Sequence, residues 1–157
     1  MPLATSQPYA GSYLMPSIER ATVGDAMHPG ILSCDGDATS TEVARMMATH
    51  HIHCVAVVGL EQEALSPDHS QEPRVWGIIS DFDLIGAGVS EGPEQTAAGL
   101  ARHAAIIVEP STPIRAAAQL MLTHRTGHLV VVDPGTQRPT GILSTLDIAG
   151  ILAWGEG

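Results

Sequence analysis

Apolar positions along the chain fall into short blocks that switch between a helical and a strand-like period. Val43, Met46 and Met47 recur at helical spacing behind Thr39-Ser40-Thr41-Glu42, a box in which Thr39 caps and Glu42 reaches back, so a helix is predicted to about His50. Cys54 to Val58 and Val75 to Ile79 are apolar runs of strand length, the second leading into a helix from Asp81. Between them, residues 59–74 hold Gly, Pro, Ser, Asp and three Glu and read as an exposed acidic loop. After a polar stretch around Gly92 and Pro93 the order restarts. A short helix over Ala97 to Arg102 precedes a strand over Ala105 to Val108. Pro110 to Pro113 then open a helix through Ala117, Leu120 and Met121, since Pro is tolerated at a helix start. Strands at Leu129 to Val132 and from Gly141 flank an Asp133-Pro134-Gly135 turn, and a last helix runs to about Trp154. Ahead of all this, Thr22 to Met27 predicts a turn or short helix and Ile31-Leu32-Ser33 a short strand.

One stretch occurs twice. Gly77-Ile78-Ile79-Ser80-Asp81-Phe82-Asp83-Leu84 returns 64 residues later as Gly141-Ile142-Leu143-Ser144-Thr145-Leu146-Asp147-Ile148. Met47 to Val55 likewise matches Met121 to Leu129, 74 residues on, so the first unit carries 10 extra residues in its strand–strand loop. A repeat of this length fixes the architecture before any single residue is interpreted. The expected division is a flexible tail (1–20), a first unit (21–88), a linker (89–96) and a second unit (97–157), each unit strand, helix, strand, strand, helix. One such unit is too small to bury a good core. The fold class is therefore α+β, with the two units packed sheet to sheet about a pseudo-twofold axis.

Composition narrows the function. Aromatics are 3% of the 157 residues, so the core is aliphatic. Charged residues are 15%, low against the usual ~25%, which suggests that a partner covers part of the surface, most simply a second copy. The formal charge is −10 and all 7 basic residues are Arg, which argues against nucleic acid and anionic membranes as partners. No apolar run is long enough to span a bilayer. Residues 1–16 lack a basic and an apolar signal-peptide region, so the expected location is cytoplasmic, with Cys34 and Cys54 reduced.

The repeated stretch holds the candidate chemistry. Ser80 and Ser144 sit where a strand becomes a helix, and Asp83 and Asp147 follow in the first turn. Read structurally, each pair is a cap plus a favourable first-turn acid. Read functionally, a helix start with free N–H groups is a phosphate or ribose site, and the Asp can accept ribose hydroxyls. His50, His51, His53 and Cys54 raise the question of a metal, but no repeated His or Cys pair completes a tetrahedral set, so no metal site is expected. Neither Ser has a sequence-level reason to lie beside a His, and neither Cys sits in a redox or protease motif, so no catalytic residues are assigned.

The twinned Gly-h-h-Ser-x-x-Asp-h stretches (h, apolar), the leading Val23-Gly24-Asp25-Ala26-Met27, the helices ending in Met and the Val-rich middle strands together resemble a tandem pair of CBS domains over about residues 22–153. The Pro common in the family's middle strand is absent, replaced by Ala56 and Val130. The resemblance implies clefts that bind adenosine derivatives such as AMP, ADP, ATP or S-adenosylmethionine, with Mg²⁺ only if the ligand is ATP and no resident cofactor. Carried over, one site uses Ser80, Asp83, Ile31, Leu32, His53 and Cys54, and the other Ser144, Asp147, Ile106, Ile107, Gly127 and His128. Few cations lie near these positions, so a monophosphate or an adenosyl sulfonium is expected rather than a triphosphate. The resemblance further implies a regulatory module, not an enzyme, that signals through an effector protein and dimerises through its helices, with Ala116, Ala117, Leu120, Ile148, Ile151 and Leu152 as the candidate face. The alternative is a ligand-independent homodimeric scaffold whose clefts are vestigial.

Overall fold

In the computed structural model the described residues are 15–59, 74–101 and 103–156. The acidic loop and most of the expected tail lie outside them. The elements run α1 (Val23–Ala26), β1 (His28–Pro29), β2 (Ser33–Asp35), α2 (Ser40–His50), β3 (Cys54–Gly59), β4 (Arg74–Ser80), α3 (Asp81–Gly88), α4 (Ala97–Leu100), β5 (His103–Ala104), β6 (Ile107–Val108), α5 (Ile114–His124), β7 (His128–Val132), β8 (Pro139–Ser144) and α6 (Thr145–Trp154).

They form two four-stranded sheets, ordered β2-β3-β4-β5 and β1-β8-β7-β6. Within each, the first two strands of the repeat pair parallel across the helix and the next pair is antiparallel. Side chains alternate across each strand. In β7, Leu129 and Val131 face the helices of their own half, while Val130 and Val132 face the other sheet. Val130 and Val132 meet Cys54 and Ile78 in a buried cluster drawn from both sheets. The units thus pack sheet to sheet, with helices over the outer faces, and the middle strands β3 and β7 are buried on both sides over most of their length.

The exchange of leading segments was not legible in the pattern. α1 and β1 lead the first repeat in sequence but build the second half: Ala21 and Val23 are buried with Ile114, Leu143 and Ile151, and β1 pairs with β8 (His28 opposite Ile142). Reciprocally, Ala97 and Leu100 of α4 are buried with Val43 and Ile79, and β5 pairs with β4 (His103 opposite Ile78). Ile78 and Ile142 are repeat-equivalent, so the two exchanges obey the same pseudo-twofold. The expected units, 21–88 and 97–157, are therefore sequence repeats, whereas each packed half draws its leading segment from the other repeat.

Two local expectations are corrected. The strand expected over Ile31–Ser33 is β2, Ser33–Asp35, and the strand expected over Ala105 to Val108 is only Ile107–Val108, with β5 ahead of it in the other sheet. The segment read as tail is not free over its last residues: Met15 and Ile18 pack on the second core, and Ser17 and Glu156 share a backbone hydrogen bond of 3.0 Å. Both long helices end alike, with His51 (φ 53°) and Arg125 (φ 50°) as left-handed caps, 74 residues apart.

Candidate functional site

Each repeated Ser–Asp pair is a closed capping box. Asp83 Oδ2 accepts from the Ser80 backbone N–H at 2.8 Å and from Ser80 Oγ at 2.9 Å, and Ser80 Oγ accepts from the Asp83 N–H at 3.3 Å. At the second junction the same three bonds are 2.7, 3.0 and 3.4 Å, with Ser144 and Asp147. The structural reading of these residues is thus correct as far as it goes. Thr22 and Asp25 make a similar arrangement at α1, so the geometry by itself is not evidence of a ligand.

What the box leaves over decides the chemistry. At α3 the Asp81 N–H is taken by the His53 carbonyl at 3.0 Å, the Phe82 N–H by Asp81 Oδ1 at 2.9 Å and the Asp83 N–H by Ser80 Oγ. The free N–H groups expected there for a phosphate are therefore already used. Both carboxylate bonds of this box use Asp83 Oδ2, so its other oxygen takes no part in the cap. A carboxylate oxygen accepts hydroxyl donors and repels phosphate.

Across the sheet, Cys54 lies opposite Ser80, and His128 opposite Ser144. Cys54 is buried, and burial pushes its thiol up to about 12, with Asp83 and Asp81 adding to the shift. It is a packing group, not a nucleophile. His128 is half-buried, and desolvation holds its imidazole below the usual histidine range against the opposing pull of Asp81. Asp147 and His53 also act on His128, so the starts of α3 and α6 face one another across the pseudo-axis. His53 is exposed, and its Nδ1 lies 2.7 Å from Asp81 Oδ2, an interaction that draws the Asp81 carboxyl below its ordinary value. Gly127, its counterpart, accepts from the Thr145 N–H at 3.0 Å.

The apolar residues need one adjustment. Ala56 N–H bonds Leu32 O and Val130 N–H bonds Ile106 O, both at 2.9 Å, so Leu32 is equivalent to Ile106 and Ile31 to Ala105. Continuing the β2–β3 register by two places puts Ile31 level with Cys54 and Ser80. Ile31 packs against the inter-sheet cluster, as does Ala105, which the sequence reading passed over in favour of Ile107. Ile107 is 53% exposed.

The residue that sequence reasoning missed altogether is His28. From β1 its Nδ1 reaches Asp147 Oδ1 at 2.7 Å, and the Asp147 side chain is only 4% exposed. The two residues are far apart in sequence and meet only through the strand exchange, so no local motif could reveal the contact. Among the described residues no group of three or more His, Cys, Asp or Glu side chains is arranged to hold a metal ion, and no helix is long and apolar enough to cross a membrane.

With fold and junctions in view, the comparison with known proteins is direct. The family model of the CBS domain matches residues 23–90 and again 97–153. The chain belongs to the CBS domain family. Hypoxic response protein 1 of Mycobacterium tuberculosis is 26% identical over 131 residues, 82% of each chain. A crystal structure of that protein, described with two coordinated zinc ions, superposes with a TM-score of 0.61 at 24% identity over 83% of this chain and 98% of that one. The CBS domain pair of protein MJ0100, in complex with 5′-methylthioadenosine and S-adenosyl-L-methionine, gives 0.67 at 19% identity, covering 85% and 96%. CBSX2 in complex with AMP gives 0.63 at 21% identity, covering 83% and 94%. These likenesses establish the CBS-pair fold.

Proposed function

We propose that the protein is a non-catalytic regulatory module that senses an adenosine-containing small molecule at the strand–helix junctions and passes its occupancy to a partner protein. The observation that carries this reading is the Ser80–Asp83 junction beside the Ile31–Cys54–Ser80 row, a carboxylate acceptor for a ribose hydroxyl next to an apolar edge for a base. Two structural neighbours lend support, because they were crystallised with AMP or with S-adenosylmethionine and methylthioadenosine. The ligand class is narrowed by charge. His53 and His28 are each engaged with a carboxylate, and the first-turn N–H groups of α3 are used internally. A triphosphate therefore finds little to neutralise it, and a monophosphate or an adenosyl sulfonium fits best. The natural setting of such a module is the cytoplasm.

The test is a thermal-shift and calorimetric screen against AMP, ADP, ATP and S-adenosylmethionine, with and without Mg²⁺. A ligand at 100 times its Kd adds about 2.7 kcal/mol. For a chain of this size that raises Tm by roughly 5–10 °C. A shift abolished by Asp83→Asn supports the reading, and no shift with any compound refutes it.

A second reading, a homodimeric scaffold, is favoured by a separate observation. Phe82, Ile85 and Val89 are 79%, 61% and 79% exposed on one face of α3, and Leu146, Leu152 and Trp154 of α6 are 75%, 64% and 73% exposed. Phe82 and Leu146 are repeat-equivalent and flank the pseudo-axis, which makes the surface self-matching under a twofold. The dimer face proposed here differs from the one expected, because Ala117, Ile148 and Ile151 are buried in the chain's own core. Light scattering on Phe82→Glu and Leu146→Glu checks it: the wild type is a dimer and the double variant a monomer.

A further inference from the structure

The helices α3 and α6 are repeat-equivalent, yet their outward faces are opposite in relief. Each turns its inner side to the core of its own half, through Leu84 and Ala87 in α3 and Ile148 and Ile151 in α6. Along the other side of α3 run Phe82, Ile85 and, at its C-cap, Val89, all exposed and at helical spacing. The same three positions of α6, 64 residues on, are Leu146, Ala149 and Ala153, also exposed. The positions beside that line are reversed in size: Gly88 and Ser90 in the first repeat are Leu152 and Trp154 in the second. A Cβ at Gly150 would meet Trp154 Cζ3 at 4.0 Å, so the indole lies back along its own helix and walls the alanine line on one side, with Leu152 on the other. α3 thus presents an apolar ridge, and α6 an apolar groove.

We infer that the chain pairs crosswise with a second copy, the α3 ridge of each copy seated in the α6 groove of the other. This rests on the homodimer reading and deepens it by naming which helix meets which. One twofold axis forms both contacts at once, because each copy supplies one ridge and one groove. Pairing like with like would set Ile85 on Ile85 at one contact and leave Ala149 facing Ala149 at the other, a clash and a void in the same interface. Close packing is met when large side chains face small ones. The surface is also large enough. With about 150–250 Å² for an aromatic side chain, Phe82, Ile85, Val89, Leu146, Leu152 and Trp154 together expose roughly 900 Å² per copy, against about 800 Å² that each partner buries in a stable complex.

Analytical ultracentrifugation of the full chain tests this by exchanging sizes at four exposed positions. The wild type is expected to sediment as a dimer. Emptying the ridge (Ile85→Ala/Val89→Ala) and filling the groove (Ala149→Ile/Ala153→Val) each weaken the dimer at least tenfold. The variant carrying all four changes returns to within about threefold of wild type, because large still meets small across the interface. A melting curve on each variant separates lost pairing from lost fold. Disulfide trapping reads the same geometry in a Cys34→Ser/Cys54→Ala background. Mild oxidation of a mixture of the Ile85→Cys chain with the Ala149→Cys or Ala153→Cys chain links unlike chains, and no chain links to its own kind, since a disulfide needs Cα atoms within about 7 Å. Losses that add in the fourfold variant, self-linking of the single-cysteine chains, or a dimer indifferent to both ridge and groove changes each overturn the crosswise pairing while leaving a homodimer in place. A monomeric wild type overturns the homodimer reading and the pairing together.

Discussion

Gly141 is where the exchanged strand meets its host, and replacing it with Ala is the most direct test of the architecture. In β8, Gly141 lies opposite Pro29 of β1. A Cβ built there would stand 2.3 Å from the His28 carbonyl oxygen and 2.8 Å from Met27 Cε. The methionine tip can swing aside, but the carbonyl belongs to the backbone of β1, so the strand itself must retreat by about an ångström to restore van der Waals contact. Forcing a methyl group into a packed site costs typically about 1–3 kcal/mol. For a chain of this length, 1 kcal/mol moves Tm by about 2–4 °C, so a fall of roughly 3–10 °C is expected. Gly150→Ala is the matched control. Its Cβ meets only Trp154 Cζ3 at 4.0 Å, inside α6, where Ala is better than Gly by roughly 0.5–1 kcal/mol, so Tm rises. Urea denaturation with a shared m-value reads both changes as free energies. If Gly141→Ala lies within about 0.5 kcal/mol of wild type, β1 does not sit on β8 and the exchanged topology is wrong.

Three further outcomes follow from particular residues. Ser144→Ala removes the hydroxyl that makes two of the three bonds of its capping box, and the loss is expected at about 1 kcal/mol by chemical denaturation; a change below about 0.3 kcal/mol would mean that water replaces the cap at no cost. Arg125→Gly relieves a left-handed cap at an exposed site and is expected to stabilise by about 0.5–1 kcal/mol, whereas a loss would show that the arginine side chain holds the helix end. His128 has its folded pKa below its unfolded one, so as pH falls through about 6.5 the unfolded chain takes up that proton first and stability drops until the folded value is passed. Asp81, also depressed, adds a second loss below about pH 4. Stability measured against pH is expected to lose its first step in His128→Gln, and an unchanged slope between pH 5 and 7 would place the burden on another group.

What the chain declares in its pattern is what depends on neighbours in sequence. The boxes at Thr39–Glu42, Ser80–Asp83 and Ser144–Asp147 span three residues each, so their bonds are written locally and form as read. The helix from Ser40 to His50 ends at the residue where the apolar spacing stops. The exchange of leading segments escapes such reading, because α1 is four residues long and β1 two, too short for a period to show which half they serve. The one available signal was that Thr22 and Thr96 stand 74 residues apart, each just ahead of a buried apolar residue, Val23 or Ala97. The offset by one between Leu32 and Ile107 arose because apolar identity alone does not fix a strand's register, and a slip of one residue turns each side chain to the opposite face. Three residues of the expected dimer face, Ala117, Ile148 and Ile151, are unavailable for a related reason: they are inward-facing, and their apolarity serves the chain's own core.

The exchange also supplies a route by which the two junctions act on each other. His28, on Asp147, and Ile31, level with Cys54 and Ser80, are three residues apart along one chain segment. Three residues reach at most about 10 Å, so the segment that contacts the second junction is the one that borders the first. Between them Gly30 turns the chain with φ of 84°, its N–H fixed to the Thr140 carbonyl at 2.8 Å. Under the proposed function, a base bound against Ile31 would pull on a tether whose other end is the His28–Asp147 contact. Occupancy there would then change the hold of the first repeat's leading strand on the second sheet. A ligand shifts such an equilibrium only by its differential affinity for the two arrangements. Under the proposed function the difference would be concrete: contacts of the ligand with Ile31 and Asp83 would be gained, and one imidazole–carboxylate bond on the opposite sheet would be kept or given up.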